Sequence, residues 1–170
     1  MVTSCLFIID VQQGFINEWT RHIPERVSAL QGLYDEVVVS RFVNPEGSPF
    51  RMIMGWTRFA PGSEDVALAF APRPDALVID KARYTCLGAE TAALLADADI
   101  ERVDLCGIAT DNCILKTAVD LFEAGVMPIV HADYCASHGG PDCHRAGLLL
   151  LRRFIGADQV VAGDAGLPPG

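Results

Sequence analysis

The sequence predicts an α/β fold, a three-layer αβα sandwich around a mostly parallel, Rossmann-like six-stranded sheet. Three observations carry that expectation. Short apolar runs alternate with segments of helical periodicity along most of the 170 residues. The runs are apolar throughout rather than at every second position, as strands covered on both faces must be. A helical segment separates most successive runs, the arrangement of right-handed βαβ crossovers. The length suits one hydrophobic core, and a single domain over residues 1–170 is expected.

The first strand is expected over 5–10, an apolar run that closes on the carboxylate of Asp10. A helix should follow over 24–34, opening with Pro24, where a missing N–H and a preset φ do no harm. The second strand is expected over 37–42. Residues 44–74 then break the alternation, with five prolines, three glycines and weak periodicity. They read as a long excursion over the sheet edge, a pocket wall or lid. A strand over 76–80 leads to Lys81, and Thr91, Leu94 and Leu95 mark a helix over 87–98. A strand over 103–107 precedes a helix over 111–124. There Ile114, Leu115, Ala118, Leu121 and Phe122 follow helical spacing, and Gly125 supplies the stop. A strand over 127–131, a helix over 141–155 and a short last strand over 159–162 complete the set.

Composition narrows the function. At 51% hydrophobic and 21% charged residues the chain is too apolar for disorder. Its 13 basic and 22 acidic residues leave a net charge of −9. That charge opposes capture of nucleic acid or of an anionic membrane, so the expected partner is a small-molecule substrate. No start resembling a secretion signal is seen, and the apolar runs fall short of a membrane span. The six cysteines form no C-x-x-C pair and mostly sit in apolar segments. They read as reduced thiols of a cytoplasmic protein.

In open α/β sheets the ligand crevice lies at the carboxyl ends of the strands. Asp10, Lys81 and Cys113 fall at such ends or just beyond. Together they suit nucleophilic chemistry on a carbonyl. A thiol attacks as thiolate, a carboxylate can take its proton, and an ammonium holds the two anions together. Cys113 near the start of a helix adds backbone N–H groups that favour a negative sulfur.

Four motifs carry these residues. They are Ile9-Asp10-Val11-Gln12 with Phe15; Asp80-Lys81-Ala82-Arg83-Tyr84-Thr85; Gly107-Ile108-Ala109-Thr110-Asp111-Asn112-Cys113 with Thr117-Ala118; and His131-Ala132-Asp133 with Ala136-Ser137 and His144. In this order, over roughly residues 5 to 161, they resemble the isochorismatase-like cysteine hydrolases, which include nicotinamidases and N-carbamoyl amide hydrolases. The resemblance implies a catalytic triad of Asp10, Lys81 and Cys113. It also implies an oxyanion hole from the N–H groups of Ala109 and Cys113, with a cis peptide at Ile108–Ala109. The implied reaction cleaves a C–N bond of a small amide, ureido or carbamoyl substrate through a thioester-type acyl-enzyme. Homo-oligomers are common in this family, and the apolar helix over 141–155 points the same way.

The sequence also departs from the family pattern. In nicotinamidases an aspartate and a histidine after the second strand bind a divalent metal, whereas Phe42 and Asn44 stand in the comparable stretch here. Neither rebuilds such a site, so no metal and no cofactor is expected. True isochorismatases cleave a vinyl ether and often lack the nucleophilic cysteine, so Cys113 argues against that reaction. The alternatives are a nicotinamidase or isochorismatase-type hydrolase, and a catalytically silent oligomeric homologue. A flavodoxin-like binding module finds no phosphate loop in the sequence.

For substrate contacts, Phe15, Trp19, Phe42, Trp56 and Tyr84 are candidates for an aromatic pocket. Trp19 and Phe42 stand foremost because both follow motif-bearing strands. Arg41, Arg58 or Arg83 would suit a carboxylate. Cys5, Cys86, Cys106 and Cys135 read as core thiols. Asp133 and His144 read as groups that order loops, and Cys143 and His144 beside His138 match no standard metal spacing.

Overall fold

The computed structural model describes residues 3–168. Six strands, β1 Cys5–Ile9, β2 Glu36–Phe42, β3 Leu77–Lys81, β4 Arg102–Ile108, β5 Met127–Ala136 and β6 Val160–Val161, form a single sheet. Its order is β3-β2-β1-β4-β5-β6, and every neighbouring pair is parallel, so the sheet is wholly rather than mostly parallel. The helices are α1 Ile23–Leu30, α2 Pro49–Met52, α3 Ala89–Asp97, α4 Leu115–Glu123 and α5 Pro141–Ile155. Among the described residues no helix is long and apolar enough to cross a membrane.

The continuous apolar runs are explained by two cores, one on each face of the sheet. Cys5, Phe7 and Ile9 of β1 join Val103 and Leu105 of β4 against Leu95 of α3, Leu121 of α4 and Leu151 of α5. Leu6 and Ile8 point the other way, with Val37 and Val39 of β2, and meet Ile23, Val27 and Leu30 of α1. Successive strand residues face opposite sides, so a strand enclosed on both must be apolar at every position.

Three boundaries differ from expectation in ways that matter to the site. Lys81 is the last residue of β3 rather than the one after it. Strand β5 runs on to Ala136, well past the expected end at 131, with a register irregularity opposite Leu105 to Gly107 of β4. The expected helix over 111–124 begins as a π-helical turn, Thr110–Ile114, before α4 proper. The 44–74 segment is irregular apart from α2 and a single 3₁₀ turn at Glu64–Val66.

Candidate active site

Strand order 3-2-1-4-5-6 places its switch point between β1 and β4, and the carboxyl ends of both strands open onto one crevice. The strands approach closely there. Gly107, at φ +119, leaves no room for a side chain, since a Cβ would lie 2.2 Å from the carbonyl oxygen of Ile9. The Ile108–Ala109 peptide that follows is cis.

Asp10 comes directly after β1, has a φ of +49, and is fully enclosed. Both its carboxylate oxygens are occupied. The Ser40 hydroxyl donates to Oδ1 at 2.7 Å, and the Lys81 ammonium donates to Oδ2 at 2.6 Å. Lys81 stands on the sheet's edge strand with β2 between it and β1, so only a long side chain reaches. Its Nζ also donates to the Arg83 carbonyl at 3.0 Å and lies 3.6 Å from the Cys113 sulfur. The three candidate catalytic residues therefore converge on one buried point, although no two are neighbours in sequence.

An ion pair and a buried cysteine set the electrostatics of this point. Burial by itself would lower the Lys81 pKa, but the charges of Asp10 and Cys113 outweigh it and the net shift is upward. For Cys113, burial and the Asp10 carboxylate push the thiol well above its usual range, and Lys81 opposes them only in part. Burial and the carboxylate thus oppose the thiolate that the helix start and Lys81 were expected to favour.

The π-helical turn presenting Cys113 is anchored from outside. The N–H of Ile114 reaches back to the Ala109 carbonyl at 3.1 Å, and Thr110 Oγ1 lies 2.7 Å from Nδ1 of His144 on α5. A Cβ on Gly147 of α5 would stand 2.7–2.9 Å from backbone atoms of Thr110 and Asp111, so glycine lets α5 seat against the turn. His144 thus contacts the turn and does not line the cavity. Asp133 instead accepts the Gly163 N–H at 2.5 Å, outside the lining of the cavity.

Cys113, Ala109 and Asn112 open onto a cavity of about 380 Å³. Its walls are Phe15, Phe42, Phe50, Trp56 and Tyr84, with Met54 and His138. Of the candidates for the aromatic pocket, Phe15, Phe42, Trp56 and Tyr84 are there. Trp19 is not. Asn17 closes a turn around itself, accepting the Trp19 N–H at 3.0 Å, and directs that side chain into a separate hollow beside His22, Pro141 and His144. No arginine lines the cavity. Arg41 is engaged with Asp80 at 2.6 Å, Arg58 with Asp65 at 2.7 Å, and the Arg83 side chain is exposed.

Sequence reasoning missed Phe50, Met54, Asn112 and His138 as lining residues. It also missed the clamps behind the wall. Gln12, fully buried, donates to the carbonyls of Phe42 and Val66, both at 3.0 Å, and accepts the Phe42 N–H at 2.7 Å. Asn44, also fully buried, donates to the carbonyls of Trp56 at 2.8 Å and Arg58 at 2.9 Å, while Ser48 donates to its Oδ1.

These residues do not fit a metal. Phe42 packs edge-on to Phe50 at 4.8 Å and stacks on Trp56 at 5.6 Å, and the Asn44 amide is consumed by the loop it holds. Among the described residues no three His, Cys, Asp or Glu side chains gather as metal ligands would.

Residues 4–159 match the family described as the isochorismatase domain. The chain is 34% identical over 85 residues to PncA, an isochorismatase family protein of Bacillus subtilis, covering 49% of this chain and 46% of that protein. It is 32% identical over 112 residues to the ureidoacrylate amidohydrolase RutB of Methylobacterium radiotolerans, covering 64% of this chain and 43% of the relative. The chain thus spans about half the length of these curated relatives. Among solved structures, the nicotinamidase/pyrazinamidase PncA from Bacillus subtilis superposes with a TM-score of 0.77 at 24% identity, covering 94% of this chain and all (100%) of that one. An isochorismatase-like hydrolase from Alkaliphilus metalliredigens gives 0.76 at 19% identity, covering 90% and 92%. These likenesses establish the shared fold.

Proposed function

This chain belongs to the isochorismatase family, and on that premise we propose that it is a metal-independent cysteine hydrolase of a small, neutral amide. The observation that carries the reading is the Lys81 ammonium bridging Asp10 at 2.6 Å and Cys113 at 3.6 Å beside an apolar cavity. In the first step Asp10 takes the thiol proton as the sulfur attacks the amide carbonyl carbon. The N–H groups of Ala109 and Cys113 hold the developing oxyanion. Collapse of the adduct expels ammonia or an amine, which receives the proton from Asp10 and leaves a thioester on Cys113. Water then attacks the thioester with Asp10 again as base, releasing the acid and restoring the thiol. Proton transfer and attack proceed together, with the Lys81 ammonium beside both groups.

The names of the relatives, nicotinamidase and ureidoacrylate amidohydrolase, support C–N cleavage. The lining supports one kind of substrate over another. With aromatic walls and no arginine it favours an uncharged amide with an apolar body over a carboxylate-bearing ureido acid. A cytoplasmic setting is supported by six cysteines that all remain free thiols. A homo-oligomer is supported by Phe122 on α4 and Leu149 and Phe154 on α5, each more than half exposed at 53%, 61% and 54%. Sedimentation as a monomer at micromolar concentration would remove that part of the proposal.

The test is ammonia release from a panel of small amides. Cys113→Ser should lower kcat on the order of 10³-fold or more, about 4 kcal/mol at the barrier. Cys143→Ser, outside the cavity lining, should turn over at close to the wild-type rate. Retention of more than about a tenth of kcat by Cys113→Ser would end the covalent mechanism.

A further inference from the structure

Asp10 has to accept and return a proton in both halves of the reaction, so the direction of its carboxylate matters. It follows β1 at a φ of +49, just beyond the last register pair of β1 and β2, Ile9 with Ser40. Ser40 takes hold of it there at three points. The Ser40 carbonyl accepts the Asp10 N–H at 3.2 Å, the Ser40 Oγ lies 3.3 Å from the same nitrogen, and the Ser40 hydroxyl donates to Asp10 Oδ1 at 2.7 Å.

Ser40 is only 1% exposed and follows Val37, Val38 and Val39 in β2. An enclosed hydroxyl on so apolar a strand is costly unless bonded, and its single proton goes to Asp10. The two carboxylate oxygens thereby have unlike partners. A neutral hydroxyl holds Oδ1, whereas the Lys81 ammonium holds Oδ2 at 2.6 Å and stands 3.6 Å from the Cys113 sulfur. Ser40 itself does not line the cavity.

We propose that Ser40 is a positioning residue of the hydrolysis. It fixes Asp10 Oδ1 so that Oδ2, which shares Lys81 with the Cys113 sulfur, takes the thiol proton and returns it to the leaving amine. The inference rests on the hydrolase reading above. Without the hydroxyl the carboxylate loses both an orienting contact and a donor that favours its charged form.

The sign of the pH effect follows. A carboxylate with one donor fewer takes up its proton at higher pH, so the base is lost earlier on acidification. Among the described residues, Lys81 from β3, Cys113 from the π-helical turn and Cys86 from the segment before α3 carry the other titratable groups that act on Asp10. All three are shifted upward and do not titrate on the acid side. His138, on the cavity wall, answers to Arg58 and Asp111 rather than to Asp10.

The test compares Ser40→Ala with Ser40→Thr, which keeps a hydroxyl, on any small amide the chain hydrolyses. Ser40→Ala should lower kcat about 10-fold or more, leave KM within about two-fold and move the acid limb of kcat/KM to higher pH. Ser40→Thr should recover most of the rate and the original limb. The role of Ser40 is overturned if Ser40→Ala keeps full kcat, or if Ser40→Thr recovers neither rate nor limb. It is equally overturned if kcat falls while the limb stays in place, because a merely structural loss behaves that way. Should the wild-type chain hydrolyse no amide, the hydrolase reading falls by itself, and alkylation of Cys113 by iodoacetamide at neutral pH still judges Ser40. Read by mass spectrometry, Cys113 in Ser40→Ala should react about 10-fold more slowly than in the wild type, since its proton still has to pass to Asp10. Equal rates of alkylation would overturn the proposal.

Discussion

Asp10 and Lys81 form an ion pair whose side chains are only 0% and 4% exposed, and their value lies in being kept together. Such a pair gains little net stability over an apolar replacement, but removing one partner leaves an uncompensated buried charge. Lys81→Met should therefore cost about 3–5 kcal/mol of stability in urea unfolding, in addition to abolishing turnover. The double variant Asp10→Asn, Lys81→Met should regain part of that loss, because no lone charge remains. A double-variant loss equal to the sum of the two single-variant losses would show that the two residues are not coupled. The pairing was legible in the sequence only as two charges at strand ends. The 2.6 Å contact depends on β3 lying two strands from β1, which no local pattern of residues states.

At the scale of elements, the excursion and the π-helical turn decide the shape of the cavity. The excursion carries Phe50, Met54 and Trp56 to the site and is pinned through Asn44, a residue whose sequence position suggested only a missing metal ligand. The turn depends on α5. In Gly147→Ala the added Cβ would press on the backbone of Thr110 and Asp111, so the turn that carries Cys113 would have to shift. Overpacking of this kind costs about 1–3 kcal/mol. The expected signature is a lowered kcat in a protein whose circular dichroism is unchanged. Full kcat in Gly147→Ala would show that the seating of α5 does not set the position of Cys113.

The whole molecule encloses five of its six thiols, Cys5, Cys86, Cys106, Cys113 and Cys135. Burial raises the pKa of each, and carries Cys5 and Cys135 from 9.0 to about 12. The sign of the linkage follows. Above about pH 9 the unfolded chain loses these protons while the folded chain keeps them, so stability is complete below that pH and falls as pH rises. Cys5 and Cys135 each contribute on the order of 1 kcal/mol of loss per pH unit in that window. Thermal unfolding should therefore move to lower temperature between about pH 8 and pH 10. A midpoint that stays constant over that range would contradict the enclosed, protonated state of these thiols.

The sequence by itself determined the layered α/β architecture and the strand ends at or just beyond which Asp10, Lys81 and Cys113 stand. These are matters of hydrophobic period and residue chemistry, which act locally and leave a local mark. Tertiary structure alone decided the rest. Trp19 looked like a pocket residue because it follows a motif, but Asn17 turns it toward the start of α5. His138 drew notice only beside Cys143 and His144 as matching no metal spacing, and packing against Phe15 places it on the cavity. The Cys113 thiol is pushed up rather than down, because a pKa answers to burial and to charges brought from β1 and β3. Those distances are set by how strands and helices pack, so they exist only once the chain has folded.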